Sequence, residues 1–521
     1  MSMTRRLIAG ILVGVACAVV GGTQSIAPVL TAASSCEAIA SVALPDAKIT
    51  AADPVAAGAF SPPGAAQQNT AFKQLPAFCR VAATLKPSSD SDIKIELWLP
   101  ASNWNGKLQA VGNGGWAGSI NYAAMAEALN RGYATSSTDS GHQGGGGPWM
   151  QNPDKLVDFG YRAIHEMAVK SKAVTAAYFG NGPRLSYFNG CSGGGRQGLI
   201  EAQRFPDDFD GIVAGAPALN TTGRAAFSMW IAQAMHKDEA SYVPPSKYPL
   251  IHNAVLDACD AADGVKDGVL ENPKQCRFDP KVLECKNGDA ATCLTAPQVQ
   301  SVRTSYAALM NPRSRQEIFP GLEPGSELGW ATFASPQPFG LGAQMYQYMV
   351  FKDPNWDYKT LDFDSGIALT DKIENGTINA RDPNLSRFFG RAGKLIHYHG
   401  WSDPQIMPMS SVKYYNSVLE RMGEKPGEKP GSAGKVKDSY RLFMVPGMAH
   451  CGGGDGTSTF DMVSAIEEWV EKGKAPDQIP ASRVRNGATD RTRPLCAFPQ
   501  VAKYTGTGST DEAKNFVCAA P

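Results

Sequence analysis

Residues 187–198 set a serine, Ser192, between Gly190 and Gly194, behind the aromatic pair Tyr187 and Phe188 and ahead of Gly195, Arg196, Gln197 and Gly198. A short apolar run, a serine flanked by glycines, and a longer stretch reads as strand, sharp turn and helix. In a G-x-S-x-G elbow the serine is forced into a strained turn, the glycines remove the clashes, and the helix that follows aims its first amides at the hydroxyl. The alternative is a glycine-rich turn with an incidental serine, because five-residue patterns recur by chance. The remainder of the chain decides between them.

The elbow needs a sheet to stand on. Residues 93–99 alternate apolar and polar, as a half-buried strand does, and 107–111 form a second strand after the turn at Asn103 to Gly106. That strand runs into Gly112, Asn113, Gly114, Gly115, Trp116, Ala117 and Gly118. A glycine-rich loop after an early strand is where an α/β hydrolase supplies an oxyanion-hole amide; a flexible hairpin turn is the alternative. Residues 125–130 read as helix, 133–137 as strand and 161–179 as a longer helix leading to the strand that feeds Ser192. The alternation of strands and helices predicts an α/β fold with a mostly parallel sheet covered on both faces. Before it, an Ala/Pro-rich stretch to about residue 66 reads as poorly structured.

The next strand, 211–217, is followed only at 393–400 by another of the same kind. The 521-residue chain exceeds one typical domain, and the intervening segment is too long for a loop. We therefore expect an α/β-hydrolase fold with a large inserted lid domain: a catalytic domain of residues 34–217 and 390–521, and a lid of residues 218–389 that covers the serine. Trp230, Trp330, Phe333, Phe339, Tyr346, Tyr348, Phe351 and Trp356 line an aromatic pocket there or form the lid's own core. A strand at 439–445 and a terminal helix at 460–472 complete the reading, with a Gly/Lys/Pro-rich surface loop at 426–435.

Charge and cysteines narrow the setting. The 49 basic and 49 acidic residues cancel, which removes the electrostatic case for nucleic acid or an anionic membrane as partner. Arg5 and Arg6 followed by the apolar run 7–20 form a signal peptide within residues 1–33, too short for a comfortable membrane span. Cleavage after Ala33 or Ala27 and lipid attachment at Cys17 are the alternatives for its removal. Secretion or a periplasmic location follows, without a membrane partner once the signal is gone. Eleven cysteines then become ten: Cys36, Cys79, Cys191, Cys259, Cys276, Cys285, Cys293, Cys451, Cys496 and Cys518. An even number in an exported chain with no CxxC pair favours five disulfides over zinc.

A serine hydroxyl becomes a nucleophile when an imidazole takes its proton and an acid orients the imidazole. Of seven histidines, His450 lies in a small-residue loop, Val445 to Gly452, just after the last sheet strand. His142 remains open; His397 and His399 alternate with apolar residues inside a strand and read as structural; His165, His236 and His252 lie in helix-like or lid stretches. Asp403, directly after the 393–400 strand, is the orienting acid, with Asp455 and Asp461 as fallbacks. Ser192, Asp403, His450 is the chain order of an α/β hydrolase. Gly193, following the nucleophile, supplies one oxyanion amide. Cys191 and Cys451 adjoin the serine and the histidine, so a bridge between them would tie the two loops together; two buried thiols are the alternative.

The motifs at 190–196, 400–404 and 446–451 together resemble the tannase and feruloyl esterase family, over most of the chain from Cys36 to Cys518. The resemblance implies an enzyme, a carboxylic ester hydrolase, with Ser192 as nucleophile, His450 as base and Asp403 as orienter. It also implies Gly115 and Gly193 as oxyanion donors and a Cys191–Cys451 disulfide. The substrate would be a small aromatic ester of feruloyl, galloyl or related phenolic type. A lid-bearing peptidase and a non-catalytic glycan- or phenolic-binding protein on the same fold are the competing readings.

The insertion holds one more pattern: Asp260, Asp263 and Asp267 with Gly264 and Gly268 in a tight loop. Three carboxylates are hard oxygen ligands suited to calcium, although a solvated acidic turn has the same composition, and Lys274 at the twelfth position excludes an EF-hand. By the resemblance, a structural calcium ion would take Asp260, Asp263 and Asp267 through side chains and Val265 and Val269 through carbonyls. A Cys259–Cys276 bridge would close the same loop.

Overall fold

The computed structural model describes residues 34–63, 70–334, 338–424 and 436–521. The signal segment with Cys17 and the loop at 426–435 lie outside the described residues.

One nine-stranded sheet carries the fold. Its strands are β1 (Ala47–Val55), β2 (Phe78–Leu85), β3 (Ile93–Pro100), β4 (Lys107–Val111), β5 (Ala134–Thr138), β6 (Leu185–Cys191), β7 (Gly211–Gly215), β8 (Lys394–Gly400) and β9 (Tyr440–Val445). Their order is β1-β2-β3-β5-β4-β6-β7-β8-β9. The pairs from β1 through β5 in this order are antiparallel. From β5 to β9 every pair is parallel. Connections between parallel strands require crossovers, and helices α1 (Tyr122–Asn130), α2 (Ala163–Phe179), α3 (Gly193–Arg204) and others fill them. This is the α/β-hydrolase architecture, with the Ser192 turn between β6 and α3.

The parallel strands show why both faces must be covered. Phe188, Ile212, Leu395 and Leu442 point into one core with Leu199 and Ile200 of α3. Their neighbours Tyr187, Val213, Ile396 and Phe443 point into the other, against Ile466 and Trp469. Successive side chains leave opposite faces of a strand, so a run apolar at every position is stable only between two layers of helix.

Between β7 and β8 the chain makes a large insertion. Its helices α4 (Thr221–Met235), α5 (Tyr248–Cys259) and α6 (Ala296–Tyr306) share a core of Phe227, Ile231, Tyr248, Ile251, Val299 and Val302. Trp330 and Phe333 belong to that core, while Tyr346 joins a second cluster against which Tyr348, Phe351 and Trp356 pack. The ends of the insertion return to the sheet: Leu219, Ala380, Leu385 and Phe388 pack in the main core.

Three local expectations change. The segment before residue 66 contains a regular edge strand, β1, whose Ala, Asp and Pro content conceals it; pairing with β2 and the Cys36–Cys79 disulfide hold it. β3 is buried along nearly its whole length instead of on one face. Its alternating polar member Glu96 is buried beneath Tyr122, paired with Arg80 and accepting from the Trp98 indole. The helix α7 (Met409–Arg421) precedes β9, and α8 (Met462–Lys472) is not terminal: β10 (Gln478–Arg485) and β11 (Ala488–Cys496) follow as an antiparallel hairpin, then two short strands. Frequent arginines and threonines in that hairpin mask its strand pattern.

Candidate active site

Ser192 sits at the β6–α3 turn with φ 63° and ψ −120°, a backbone state that L-residues enter only when their surroundings enforce it. The glycines make it sterically attainable. A Cβ on Gly190 would lie 2.7 Å from the Gly194 carbonyl carbon, and one on Gly195 would lie 2.2 Å from the Gly215 oxygen. The turn is pinned from below, where the Ser192 amide donates to Gly215 O at 2.9 Å.

The loop after β9 brings His450 to the serine: its Nε2 lies 2.9 Å from Ser192 Oγ, and its Nδ1 lies 2.7 Å from Asp403 Oδ2. Because a carboxylate only accepts, Nδ1 carries the proton, which leaves Nε2 to accept from the serine hydroxyl. Asp403 is 0% exposed in the turn after β8. Its Oδ1 accepts from the amides of Gln405 (2.8 Å) and Ile406 (3.0 Å). Burial works to raise the Asp403 carboxyl, but hydrogen bonds from His399 and His450 outweigh it and hold the group well below the usual carboxylate range.

His399 is the member that sequence reasoning set aside. From inside β8 its Nε2 lies 3.1 Å from Asp403 Oδ2 and 2.9 Å from Ile406 O, both acceptors, so Nε2 donates. Its Nδ1 then accepts from Ser411 Oγ at 2.6 Å. Ser411 Oγ in turn accepts from His397 Nε2 (2.8 Å), and His397 Nδ1 accepts from Tyr440 OH (2.7 Å). Burial lowers His397 well below its ordinary value, which keeps that ring neutral. The spacing of two histidines in a strand signals burial on one face; only the fold shows that the face ends at the acid.

The other candidates go elsewhere. His142 lies 2.8 Å from Trp116 O and stacks on Trp149; His165 pairs with Asp208, and His252 with Glu327. Asp455 pairs with Arg485, and Asp461 with Arg131.

Gly115 and Gly193 face one another beside the serine. A Cβ on Gly193 would lie 3.2 Å from Gly115 N, and both glycines line one cavity with Ser192 and His450. Neither amide donates a hydrogen bond among the described residues. Two unpaired N–H groups beside a serine hydroxyl can receive an anionic oxygen. The rest of the wall comes from Trp116, Phe159, Arg196, Ala218, Thr221, Arg224 and Leu341, with Gln405 and Ile406 below. Trp116 Nε1 donates to Leu341 O at 2.9 Å, tying the glycine-rich loop to the insertion. None of the aromatic residues weighed for a pocket lines this wall: Trp330, Phe333 and Tyr346 are core, and Trp230, Phe339, Tyr348, Phe351 and Trp356 pack against it, since large apolar rings reach lower free energy packed against each other than facing water.

Compared with known families, the chain matches "Tannase and feruloyl esterase" over residues 79–519. It belongs to the tannase and feruloyl esterase family. It is 37% identical over 531 aligned residues to a protein of Xanthomonas campestris named "Uncharacterized esterase", covering 94% of this chain and 92% of that one. It is 36% identical over 466 residues to "Probable feruloyl esterase B-1" of Aspergillus oryzae, covering 84% and 83%. The crystal structure of feruloyl esterase B from Aspergillus oryzae superposes with a TM-score of 0.86 at 33% identity, over 93% of this chain and 99% of that one. The tannin acyl hydrolase of Aspergillus niger shares the fold, with a TM-score of 0.76 at 22% identity over 93% and 95%. The chain is thus an enzyme, a carboxylic ester hydrolase of the feruloyl esterase and tannase type.

In this esterase all ten described cysteines form disulfides: Cys36–Cys79, Cys191–Cys451, Cys259–Cys276, Cys285–Cys293 and Cys496–Cys518. Cys191 and Cys451 are 6.0 Å apart at Cα, so the bond joins the residue before Ser192 to the residue after His450. Five disulfides fit an oxidising compartment. Among the described residues no helix is long and apolar enough to cross a membrane.

The acidic loop of the insertion lies against β11. Asp260 Oδ2 accepts from the Gly268 amide (2.9 Å) and Asp263 Oδ1 from the Val265 amide (2.9 Å). Asp267 Oδ1 accepts from Val269 N (3.2 Å), while its Oδ2 is paired with Arg493 and lies 3.3 Å from Arg491 Nη1. No three-membered cluster of Asp, Glu, His or Cys side chains poised to hold an ion occurs among the described residues. The donor set is nevertheless all oxygen, with Asp263, Val265, Asp267 and Val269 lining one small cavity, and this chemistry fits a hard cation.

Proposed function

We propose that the protein is a secreted serine esterase hydrolysing feruloyl, galloyl or related phenolic esters through an acyl-enzyme. The observation that carries this reading is the unbroken path Ser192 Oγ, His450, Asp403 beside two unpaired amides. The Ser192 hydroxyl attacks the ester carbonyl while His450 Nε2 takes its proton. Asp403 stabilises the imidazolium and keeps its ring in register. The oxyanion that forms is received by the amides of Gly115 and Gly193, which hold a fixed orientation and require no reorganisation. His450 returns the proton to the leaving alcohol, and water repeats the sequence to release the acid.

Support for the lid role of residues 218–389 comes from Thr221, Arg224 and Leu341, which close the cavity from the insertion side. A structural calcium ion held by Asp260, Asp263, Asp267 and the carbonyls of Val265 and Val269 would brace the insertion against the C-terminal hairpin; its charge would take no part in the steps above. Metal analysis after desalting should find one calcium per chain, and a chelator should lower the melting temperature. A metal-free protein with an unmoved melting temperature removes the ion from the description.

The test of the esterase reading is turnover of methyl ferulate, methyl gallate and a simple aryl ester by wild type and Ser192→Ala. Equal rates would overturn the mechanism. No turnover of any ester by wild type would leave a binding protein on this fold.

A further inference from the structure

Two arginines line the cavity at Ser192, and they are in opposite states. Arg196, 1% exposed, is satisfied: Nη1 donates to Gly160 O (2.9 Å) and Ile378 O (3.1 Å), Nη2 donates to Phe159 O (3.2 Å), and the guanidinium packs over the Phe159 ring at 4.7 Å. It is a structural strut between α3 and the insertion. Arg224, 5% exposed, has no such partners. Its Nε is buried without a hydrogen bond, and no carboxylate lies within ion-pair distance of it among the described residues. Its guanidinium carbon lies over the face of Phe339, 5.1 Å from the ring centroid. The opposing charge that acts on it is Asp403, whose oxygens are already taken by His450, His399 and two amides.

A guanidinium withdrawn from water without an anion is costly, and such groups are ordinarily paired. The position is not incidental to the helix. Asn220 caps α4 and accepts from the Gly223 amide, and Thr221 and Arg224, three residues apart, present one face of the first turn to the cavity. The N-terminal end of α4 adds a partial positive charge in the same direction. The arrangement turns a fixed positive charge toward the cavity.

We propose that Arg224 binds a carboxylate carried by the substrate, so that the preferred esters are those of aromatic acids bearing a second, free acid group on either the acyl or the alcohol side. This rests on the esterase reading above and names its substrate class. The planar fork of Arg224 matches a carboxylate in two parallel hydrogen bonds, and Trp116, Phe159 and Leu341 in the same wall supply an apolar surface for an adjoining ring. A neutral ester leaves the guanidinium unpaired and binds less well for that reason.

The test compares matched pairs of esters: chlorogenate against its methyl ester, with the acid on the alcohol side, and methyl 4-carboxycinnamate against methyl 4-carbamoylcinnamate, with the acid on the acyl side. In at least one pair, wild type should favour the acid by roughly 10- to 100-fold in kcat/KM, the span expected for hydrogen bonding to a charged group. Arg224→Gln should remove that preference through the KM of the acid, bringing the two members of the pair to similar kcat/KM; Arg224→Lys should keep part of it. The pair that responds identifies the side. No preference in either pair, or an equal loss on both members in Arg224→Gln, overturns the proposal, the latter by showing that Arg224 acts on the triad. Calorimetry with 4-carboxycinnamamide and cinnamamide on Ser192→Ala reads the site without turnover. If wild type hydrolyses no ester, the esterase reading fails, while tighter binding of the acid that Arg224→Gln abolishes still supports the anion site and equal binding refutes it.

Discussion

Replacing the Cys191–Cys451 bond separates two roles a disulfide can have. The bond spans 260 residues. In the chain-entropy treatment a loop of that length restricts the unfolded chain by about 5 to 6 kcal/mol, and measured removals of native disulfides cost about 2 to 5 kcal/mol. The bridges Cys259–Cys276 and Cys285–Cys293, with separations of 17 and 8, lie inside this loop and shorten it little; the dependence on length is logarithmic, so the correction is on the order of 0.1 kcal/mol. Stability should therefore fall, with the melting temperature dropping by several degrees. Position is the second role. Ser192 and Cys451 both have left-handed backbones, φ 63° and 61°. Outside glycine such a conformation costs about 1 to 2 kcal/mol and persists only where neighbours enforce it. Freed from the bond, an alanine at 451 relaxes and carries His450 with it. A shift of about 1 Å in a catalytic group costs on the order of 100-fold in rate.

The prediction is that Cys191→Ala/Cys451→Ala, assayed on methyl ferulate well below its own melting temperature, loses about 100-fold in kcat with KM changed only a few-fold. Cys191→Ala/Cys451→Gly, with a residue suited to φ 61°, should have a different profile: equally destabilised, but with geometry more easily regained and kcat partly restored. A double alanine variant that melts early yet keeps wild-type kcat would refute the positioning argument and leave the bond as a cross-link of the unfolded state alone.

Removing the His399 donor with His399→Phe should lower kcat by about 10-fold and raise the Asp403 carboxyl toward its unfolded value. A depressed carboxyl gives stability that is present above its unfolded pKa and lost as pH falls toward the folded one. The variant should thus lose less additional stability than wild type between pH 5 and pH 3, measured as melting temperature against pH; parallel curves would contradict the assignment. Gly195→Ala places a methyl 2.2 Å from the Gly215 oxygen, an overlap that backbone movement must relieve at about 1 to 3 kcal/mol; calorimetry should show an earlier melt, and an unchanged one would count against the packing described. Ser411→Ala interrupts the path from His399 to His397 without touching the triad, so kcat should fall by less than in His399→Phe, and a larger loss would place the proton chain itself in the reaction.

The sheet and the meeting of Ser192, His450 and Asp403 were legible because their residues obey local rules. Apolar runs at every position read as strands buried on both faces, and Gly190, Ser192 and Gly194 read as an elbow once Asp403 and His450 stood downstream in the matching order. Asp403 and His450 followed from strand ends in a fixed chain order. β1 was not legible, since its stability lies in pairing with β2 and in Cys36–Cys79 rather than in its own composition. β3 misled through Glu96, a polar residue that Arg80, Trp98 and Tyr122 satisfy from three other positions.

The cavity marks the limit of what local pattern can hold. Trp330 and Phe333 belong to the core of the insertion and Trp230 packs against it, while Trp116, Phe159 and Leu341, from three separated stretches, form the wall. Arg196 and Arg224 make the point most sharply. Each is an arginine in the first turn of a helix following a sheet strand, and each is buried against an aromatic ring. Three backbone carbonyls, two from a segment some 36 residues upstream and one from 182 residues downstream, satisfy the first. No comparable set converges on the second, and an unsatisfied charge beside a nucleophile determines which esters gain most from entering. Substrate choice in this esterase is therefore encoded less in which residues line the cavity than in which of them the fold has left without a partner.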